Sequence, residues 1–374
     1  MKNYINGVLL LSLIFVQISP PGCTDENPSN DKVSDSGTDG DTDGDTDGDS
    51  DGDSDGDSNW LYTNGNHVYL NDKIWHGKGA NFHDTRSCNA CTAFSPNIDE
   101  IKRRLDLLID VWGANFVRLD LENYTSSDSY RVQWKGLLDD SNYYDDVVEI
   151  INYIGTKPDT YVMLSLWVDT TFTDMGWPTS DTITIWEDLA ETFYNDSHVL
   201  YGLVNEPQSN FNGEHDEEVW TAMNNTVAAI RAVEATLGDH RHIIAVQGTG
   251  GWARRLSYYI DHPITADSGK NIAYETHIYN HESDFEDLLV TPAKTLPVII
   301  GEYGPSSGYM TEADCATLIT SATNLEVPNL AWTFHMRCPP NILKDNSGGG
   351  CGVDMNLEPT SWGTMVKDHL TTPW

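Results

Sequence analysis

Positive charge is scarce in this 374-residue chain. Its 21 lysines and arginines face 58 aspartates and glutamates, for a formal net charge of −37. Such a surface lacks the basic patches that nucleic acids require and repels anionic polymers. Cysteine is also sparse, with six in the whole chain, too few for a fold stapled throughout by disulfides. The apolar run near the start, Val8 to Ile18 behind Lys2, falls short of the roughly 20 residues that a membrane-spanning helix needs.

That run, with the small residues and prolines after it, reads as a secretory signal over residues 1–22. The sequence Pro20-Pro21-Gly22-Cys23 resembles a bacterial lipobox with prolines in place of its usual residues. A lipid anchor at Cys23 and plain secretion are the two alternatives. Residues 23–58 form a linker. From Thr38 it repeats Thr/Ser-Asp-Gly-Asp, and thirteen aspartates and Glu26 face only Lys32. With nothing apolar to bury and like charges repelling, it is expected to be extended and disordered. Asp43, Asp45, Asp47 and Gly48 resemble the start of a calcium loop, but Ser54 stands where the bidentate glutamate belongs. A solvated spacer is the favoured reading.

Residues 59–374 alternate short apolar runs with helical patterns, the signature of a parallel sheet wrapped by helices. After a hairpin at 61–70, barrel strands are expected at 74–81, 115–119, 161–167, 199–206, 242–247, 271–276, 298–302 and 329–333. Helices are expected at 98–111, opened by an Asn97–Glu100 capping box, and at 145–154, 182–193, 215–237, 311–323 and 361–370. Eight units in this length predict an α/β fold, a (β/α)8 TIM barrel, which takes about 250 residues.

Two strands end alike. Tyr201-Gly202-Leu203-Val204-Asn205-Glu206-Pro207 runs into an amide, a carboxylate and a proline, and Val298-Ile299-Ile300-Gly301-Glu302-Tyr303-Gly304 into a second glutamate. Pro207 has no N–H and pushes Glu206 away from helical geometry, so the strand is expected to stop there. A TIM barrel collects its strand C-termini around one mouth, bringing Glu206 and Glu302 together with Arg118, Asn205, His277, Tyr279 and Trp332. Two carboxyl groups whose pKa values are pushed apart can serve as acid and nucleophile in glycoside hydrolysis. Arg118 would keep Glu302 ionised, Tyr279 would steady it, Glu206 would donate the proton, and Asn205 would bond a sugar 2-hydroxyl. Trp252 and Trp332 are candidates for stacking on sugar faces. Trp75, His76 and Trp112 read as structural.

The Asn-Glu-Pro, His-x-Tyr and Gly-Glu-Tyr-Gly motifs, with the tryptophan of the eighth strand, resemble glycoside hydrolase family 5, the cellulases and mannanases of clan A. The resemblance spans about residues 70–370. It implies that Glu206 is the acid/base and Glu302 the nucleophile, with Arg118, Asn205, His277, Tyr279 and Trp332 in supporting positions. Together with the signal segment, the leading reading is a secreted or surface-tethered retaining endo-glycosidase acting on a β-1,4-linked glucan or a β-mannan, monomeric and without cofactor or metal. Many members carry aspartate and histidine after the third strand, where this chain has Ser165 and Trp167. That leaves the preferred sugar open, with Trp167 and His83 as further substrate contacts. A non-catalytic carbohydrate-binding barrel and a metal-dependent barrel hydrolase are the competing readings. Of the cysteines, Cys338 with Cys351 and Cys88 with Cys91 are the expected pairs, leaving Cys315 free. Cross-pairing or a shared zinc is the rival, because the loops after strands one and eight are neighbours in a barrel.

Overall fold

The computed structural model describes residues 59–85, 98–123, 135–167, 176–207, 210–336, 338–345 and 357–374. The signal segment, Cys23, the aspartate-rich linker, Asn97, Cys88, Cys91 and Cys351 lie outside the described residues. Cys315 is a buried free thiol. Cys338 is disulfide-bonded, so the proposed pairings rest on residues outside that set.

Three short strands, β1 (Tyr62–Asn64), β2 (His67–Leu70) and β3 (Lys73–Ile74), form a small antiparallel sheet. Eight strands follow: β4 (Lys78–His83), β5 (Phe116–Leu121), β6 (Tyr161–Leu166), β7 (Val199–Gly202), β8 (Ile244–Gln247), β9 (Ile272–Ile278), β10 (Val298–Tyr303) and β11 (Asn329–Ala331). All pair in parallel, and β11 closes the barrel onto β4 with Asn329 opposite Lys78. The expected first barrel strand began too early: Lys73 and Ile74 belong to the small sheet.

Helices lie between the strands: α1 (Ile98–Asp106), α2 (Ser141–Gly155), α3 (Ser180–Thr192), α4 (Asp216–Leu237), α5 (Ser257–Asp261), α6 (Glu312–Asn324) and α7 (Ser361–Thr371). Their ends follow local chemistry. Thr179 with Thr182, and Thr311 with Asp314, form capping boxes that satisfy first-turn N–H groups of α3 and α6. Val219, Met223, Val227 and Ile230 recur at helical spacing on α4 and are fully buried. Glu100 binds Arg103 and Arg104 on the same helix at 2.8 and 2.7 Å; its expected capping-box partner Asn97 lies outside the described residues.

Strand alternation sorts the core. Val117, Leu119 and Leu121 of β5, and Val162, Leu164 and Leu166 of β6, pack with the helices in the outer core. Phe116, Tyr161, Met163, Leu200, Ala245, Ala273, Ile299 and Leu330 form an inner cluster with Leu61, Val68 and Trp75 of the N-terminal segment. Trp75 sets its ring edge-on to Phe116 and Tyr161, with centroids 4.9 and 5.3 Å away. The small sheet therefore plugs the barrel where its strands begin. One layer nearer the strand C-termini, the buried residues at alternating positions turn polar: Asn81, Arg118, Asp120, Ser165, Gln247, Glu275 and His277.

Candidate active site

Alternation places Ile299 and Gly301 of β10 on the barrel interior, which would send Glu302 outward. It points inward because the register with β9 shifts there: Ile300 pairs with Thr276, but Glu302 pairs with His277. Such an irregularity re-aims one side chain, and Tyr303 returns to the outer core. Glu206 reaches the same mouth differently. The regular strand β7 ends at Gly202, earlier than expected, and the chain runs on irregularly to Pro207. Glu206 is left-handed with φ +51°, where an extended residue was expected before proline. Its N–H donates to the side-chain oxygen of Gln247 on β8, which holds this strained conformation.

Two cations tie the glutamates together. Arg118, fully buried in β5, donates from Nη1 to Asn81 Oδ1 (2.8 Å), Asp120 Oδ1 (2.9 Å) and Glu302 Oε1 (2.9 Å), and from Nη2 to Asn205 Oδ1 (2.7 Å). Its Nε stands 2.8 Å from Glu275 Oε1. His277 places Nδ1 3.0 Å from Glu206 Oε1 and 3.5 Å from Glu302 Oε1, and Nε2 3.0 Å from Glu275 Oε1. Tyr279 donates its hydroxyl to Glu302 Oε2 at 2.9 Å.

Charge in this dry site is set by competition. Burial alone would strip the proton from His277, but Glu302, Glu206 and Glu275 outweigh it and push its pKa up to about 10. Burial pushes Asp120 up to about 8 against the pull of Arg118. Burial also works to raise Glu275, but Arg118 and His277 prevail and hold its pKa below the ordinary value. Glu302 lies above the ordinary value, raised by burial and by Glu206 and lowered by His277, Arg118 and the Tyr279 hydroxyl. Arg118 and His277 together supply two positive charges, and ionised Glu275 balances one.

The cleft above these groups is lined by Glu206, Trp252, Arg254, Tyr279, Glu302, Ser306, Tyr309, Trp332, Pro339 and Pro340. Trp332 is held at both ends of its backbone, donating to Tyr303 O at 2.8 Å and accepting from Trp362 Nε1 at 2.8 Å. Trp252 sits on a left-handed turn with Ala253 (φ +59° and +58°) and donates its N–H to Pro207 O at 2.9 Å. That bond links the tryptophan, 40% exposed, to the loop of Glu206.

Seven of the ten sequence-derived candidates therefore converge: Glu206, Glu302, Arg118, Asn205, His277 and Tyr279 through their hydrogen bonds, and Trp332 in the cleft wall. Trp252 joins them at the rim. The other two are not among the lining residues named above. His83 is 3% exposed, with its ring edge-on to Trp332 at 5.4 Å. Burial, with Arg118 and Arg104, lowers its pKa to about 3, so it is a neutral support behind the tryptophan. Trp167 follows β6, its carbonyl accepting from Asn123 at 3.0 Å. Sequence reasoning missed Asn81, Asp120, Gln247 and Glu275. The signal was present for two of them: Asp120 stands two residues from Arg118 and Glu275 two from His277, so strand alternation puts each on its neighbour's face.

Glu206, His277 and Glu302 offer three ligand atoms within 4.8 Å of one another, the one group among the described residues with metal-ligand spacing. A cation there would have to displace the proton that His277 holds between the carboxylates.

Residues 76–337 match the cellulase family, glycosyl hydrolase family 5. An endoglucanase of Clostridium saccharobutylicum is 23% identical over 283 residues, covering 73% of this chain and 57% of that protein. Cellulase CelDZ1 of a Thermoanaerobacterium species is 26% identical over 224 residues, or 54% of this chain and 53% of that protein. The chain thus spans little more than half the length of these curated relatives. Among solved structures, the catalytic domain of Thermobifida fusca endoglucanase Cel5A superimposes with a TM-score of 0.64 at 17% identity, covering 83% of this chain and 97% of that one. A β-mannanase of Streptomyces thermolilacinus does so with a TM-score of 0.61 at 18% identity, covering 83% and 95%. These two likenesses bear on the fold. The match over residues 76–337, which is well over half the chain, makes it a member of the cellulase family, glycosyl hydrolase family 5, and so a glycoside hydrolase.

Proposed function

We propose that this enzyme is a retaining endo-glycosidase that cleaves β-1,4-linked glucan or mannan, with Glu302 as nucleophile and Glu206 as acid/base. One observation carries the reading: an oxygen of Glu206 and an oxygen of Glu302 approach within 4.8 Å across one cleft. Retention needs carboxyl groups about 5–5.5 Å apart, whereas inversion needs roughly 6.5–9.5 Å to admit a water between them.

The hydrogen bonds divide the roles. Glu302 accepts from Arg118 and Tyr279, which favour its ionised form and aim it. Glu206 is the more open of the two, its side chain 21% exposed against 5% for Glu302. In the first step Glu206 gives its proton to the departing sugar oxygen while a Glu302 oxygen bonds to the anomeric carbon. In the second, Glu206 takes a proton from water, whose oxygen displaces Glu302 from the same carbon. Arg118 occupies the Asn205 carbonyl, which reserves the amide N–H groups for a sugar 2-hydroxyl. Trp332 and Trp252 offer flat apolar faces to sugar rings.

The substrate class is supported by the endoglucanases among the relatives and by structural neighbours described with cellotetraose and mannohexaose. The signal-like segment at residues 1–22 supports export, for which cell fractionation is the check. The activity test incubates wild type, Glu206→Ala and Glu302→Ala with β-glucan, glucomannan, mannan and xylan and measures new reducing ends, with and without EDTA. Wild type should release them from glucan or mannan regardless of EDTA, and each variant should lose activity by about 10³-fold or more. Normal hydrolysis by both variants would remove the site assignment, and loss with EDTA would favour metal chemistry.

A further inference from the structure

Glu275 is a fully buried carboxylate lying below the pair of glutamates, in the polar layer of the barrel. The neighbouring strand β10 leaves room for it: a Cβ at Gly301 would stand 2.0 Å from Oε1. The same oxygen, Oε1, meets Arg118 Nε at 2.8 Å and His277 Nε2 at 3.0 Å. Those two cations are the groups that hold Glu302 and Glu206. An ionised carboxyl in so dry a place is stable only when paired, and both of its partners are on hand.

We propose that Glu275 is a positioning residue: it grips His277 and Arg118 from below and thereby sets the orientation of Glu206 and Glu302 above. It touches no reacting atom and acts only through these two side chains. The argument rests on hydrogen-bond valence. His277 has a carboxylate oxygen 3.0 Å from each ring nitrogen, Glu206 at Nδ1 and Glu275 at Nε2. Two acceptors in line with both nitrogens require both to carry hydrogen, so the ring is an imidazolium. The nearby Gln247 amide nitrogen, 3.3 Å from Nε2, is itself a donor and cannot take the ring proton. The charged groups facing the ring are Glu206 from the β7 end, Glu275 on its own strand, Glu302 from β10, and Arg118 and Asp120 from β5. Among the described residues, Glu275 is the only carboxylate against Nε2. Without it, that nitrogen can release its proton and accept from Gln247, and the ring's charge no longer offsets the repulsion between Glu206 and Glu302.

The inference concerns how the proposed hydrolysis is supported and rests on that reading. Its test has an arm that needs no substrate. Wild type and Glu275→Gln are compared by NMR of the His277 ring nitrogens from about pH 5 to about pH 9, and by kcat and KM on the substrate found above. The wild-type ring should stay protonated throughout, while the E275Q ring should titrate near the ordinary value of about 6.5. kcat should fall by about 10–100-fold with KM changed by less than about twofold. Identical ring titrations in the two proteins, or an unchanged kcat, would overturn the proposal. A purely structural role would lower the melting temperature and leave the ring titration in place, which also overturns it. If E275Q does not fold, Glu275→Asp keeps the charge but withdraws it; a lowered ring titration and kcat support the proposal and unchanged values overturn it. The NMR arm reads the network even if no glycan is cleaved.

Discussion

Arg118 Nη1 donates to Glu302 Oε1 at 2.9 Å, joining two buried side chains that lie 184 residues apart in sequence. The same guanidinium also serves Asn81, Asp120 and Asn205 and stands against Glu275. Its planar fork suits several acceptors at once, which a lysine ammonium on a flexible stem cannot match.

Arg118→Lys is therefore expected to behave as a severe change. It keeps the charge but loses most of the hydrogen bonds, and we expect kcat to drop by about 10²-fold or more. Arg118→Ala strands the buried carboxylates and should cost about 3–5 kcal/mol of stability. Denaturant melts and initial rates check both values. An R118K enzyme with wild-type kcat would show that the fork is not needed.

Gly301 tests the register shift that aims Glu302. Its Cβ position is 2.0 Å from Glu275 Oε1, closer than any real side chain tolerates. Gly301→Ala should destabilise by about 1–3 kcal/mol through overpacking and lower kcat, because it displaces Glu275 and moves the residue next to Glu302. A control at Gly65, between β1 and β2 and away from the cleft, whose Cβ position is open though its φ is +59°, should leave kcat unchanged. A G301A protein equal to wild type in both respects would contradict the packing account.

His277 gives the stability a pH dependence of known sign. Its folded pKa is raised to about 10 from the ordinary value of 6.5 by Glu302, Glu206 and Glu275, against burial. Between those values the folded protein holds a proton that the unfolded chain releases, so this contribution falls as pH rises. It is complete below about 6.5 and gone above about 10. The stability difference between wild type and His277→Gln, measured by urea titration, should be largest in mild acid and shrink across that range. A difference that grew with pH would mean that the ring is neutral in the folded state.

The barrel was legible because each strand is a short apolar run with turn or helix signals on either side, as Val298–Ile300 and Tyr161–Leu164 illustrate. Glu206 and Glu302 were legible because each interrupts such a run at its end. The polar layer beneath them was not. Glu275 lies inside β9, where a charge reads as a surface position, and only the absent side chain of Gly301 across the strand pair makes space for it. The inward aim of Glu302 also depends on a register irregularity between β9 and β10 that no single strand's pattern encodes. His83 and Trp167 were expected at the cleft because both stand near strand ends. The strand β4 sets the His83 ring edge-on to Trp332 and leaves 3% of the residue exposed.

The stereochemistry of the first-formed product tests the central claim most directly. Proton NMR of a β-linked oligosaccharide, followed from the first seconds of hydrolysis, shows which anomer appears before mutarotation. With the two carboxyl groups this close, the β-anomer should appear first, as double displacement through Glu302 requires. First appearance of the α-anomer would mean that water attacks directly from the opposite face, and Glu302 would not be the nucleophile.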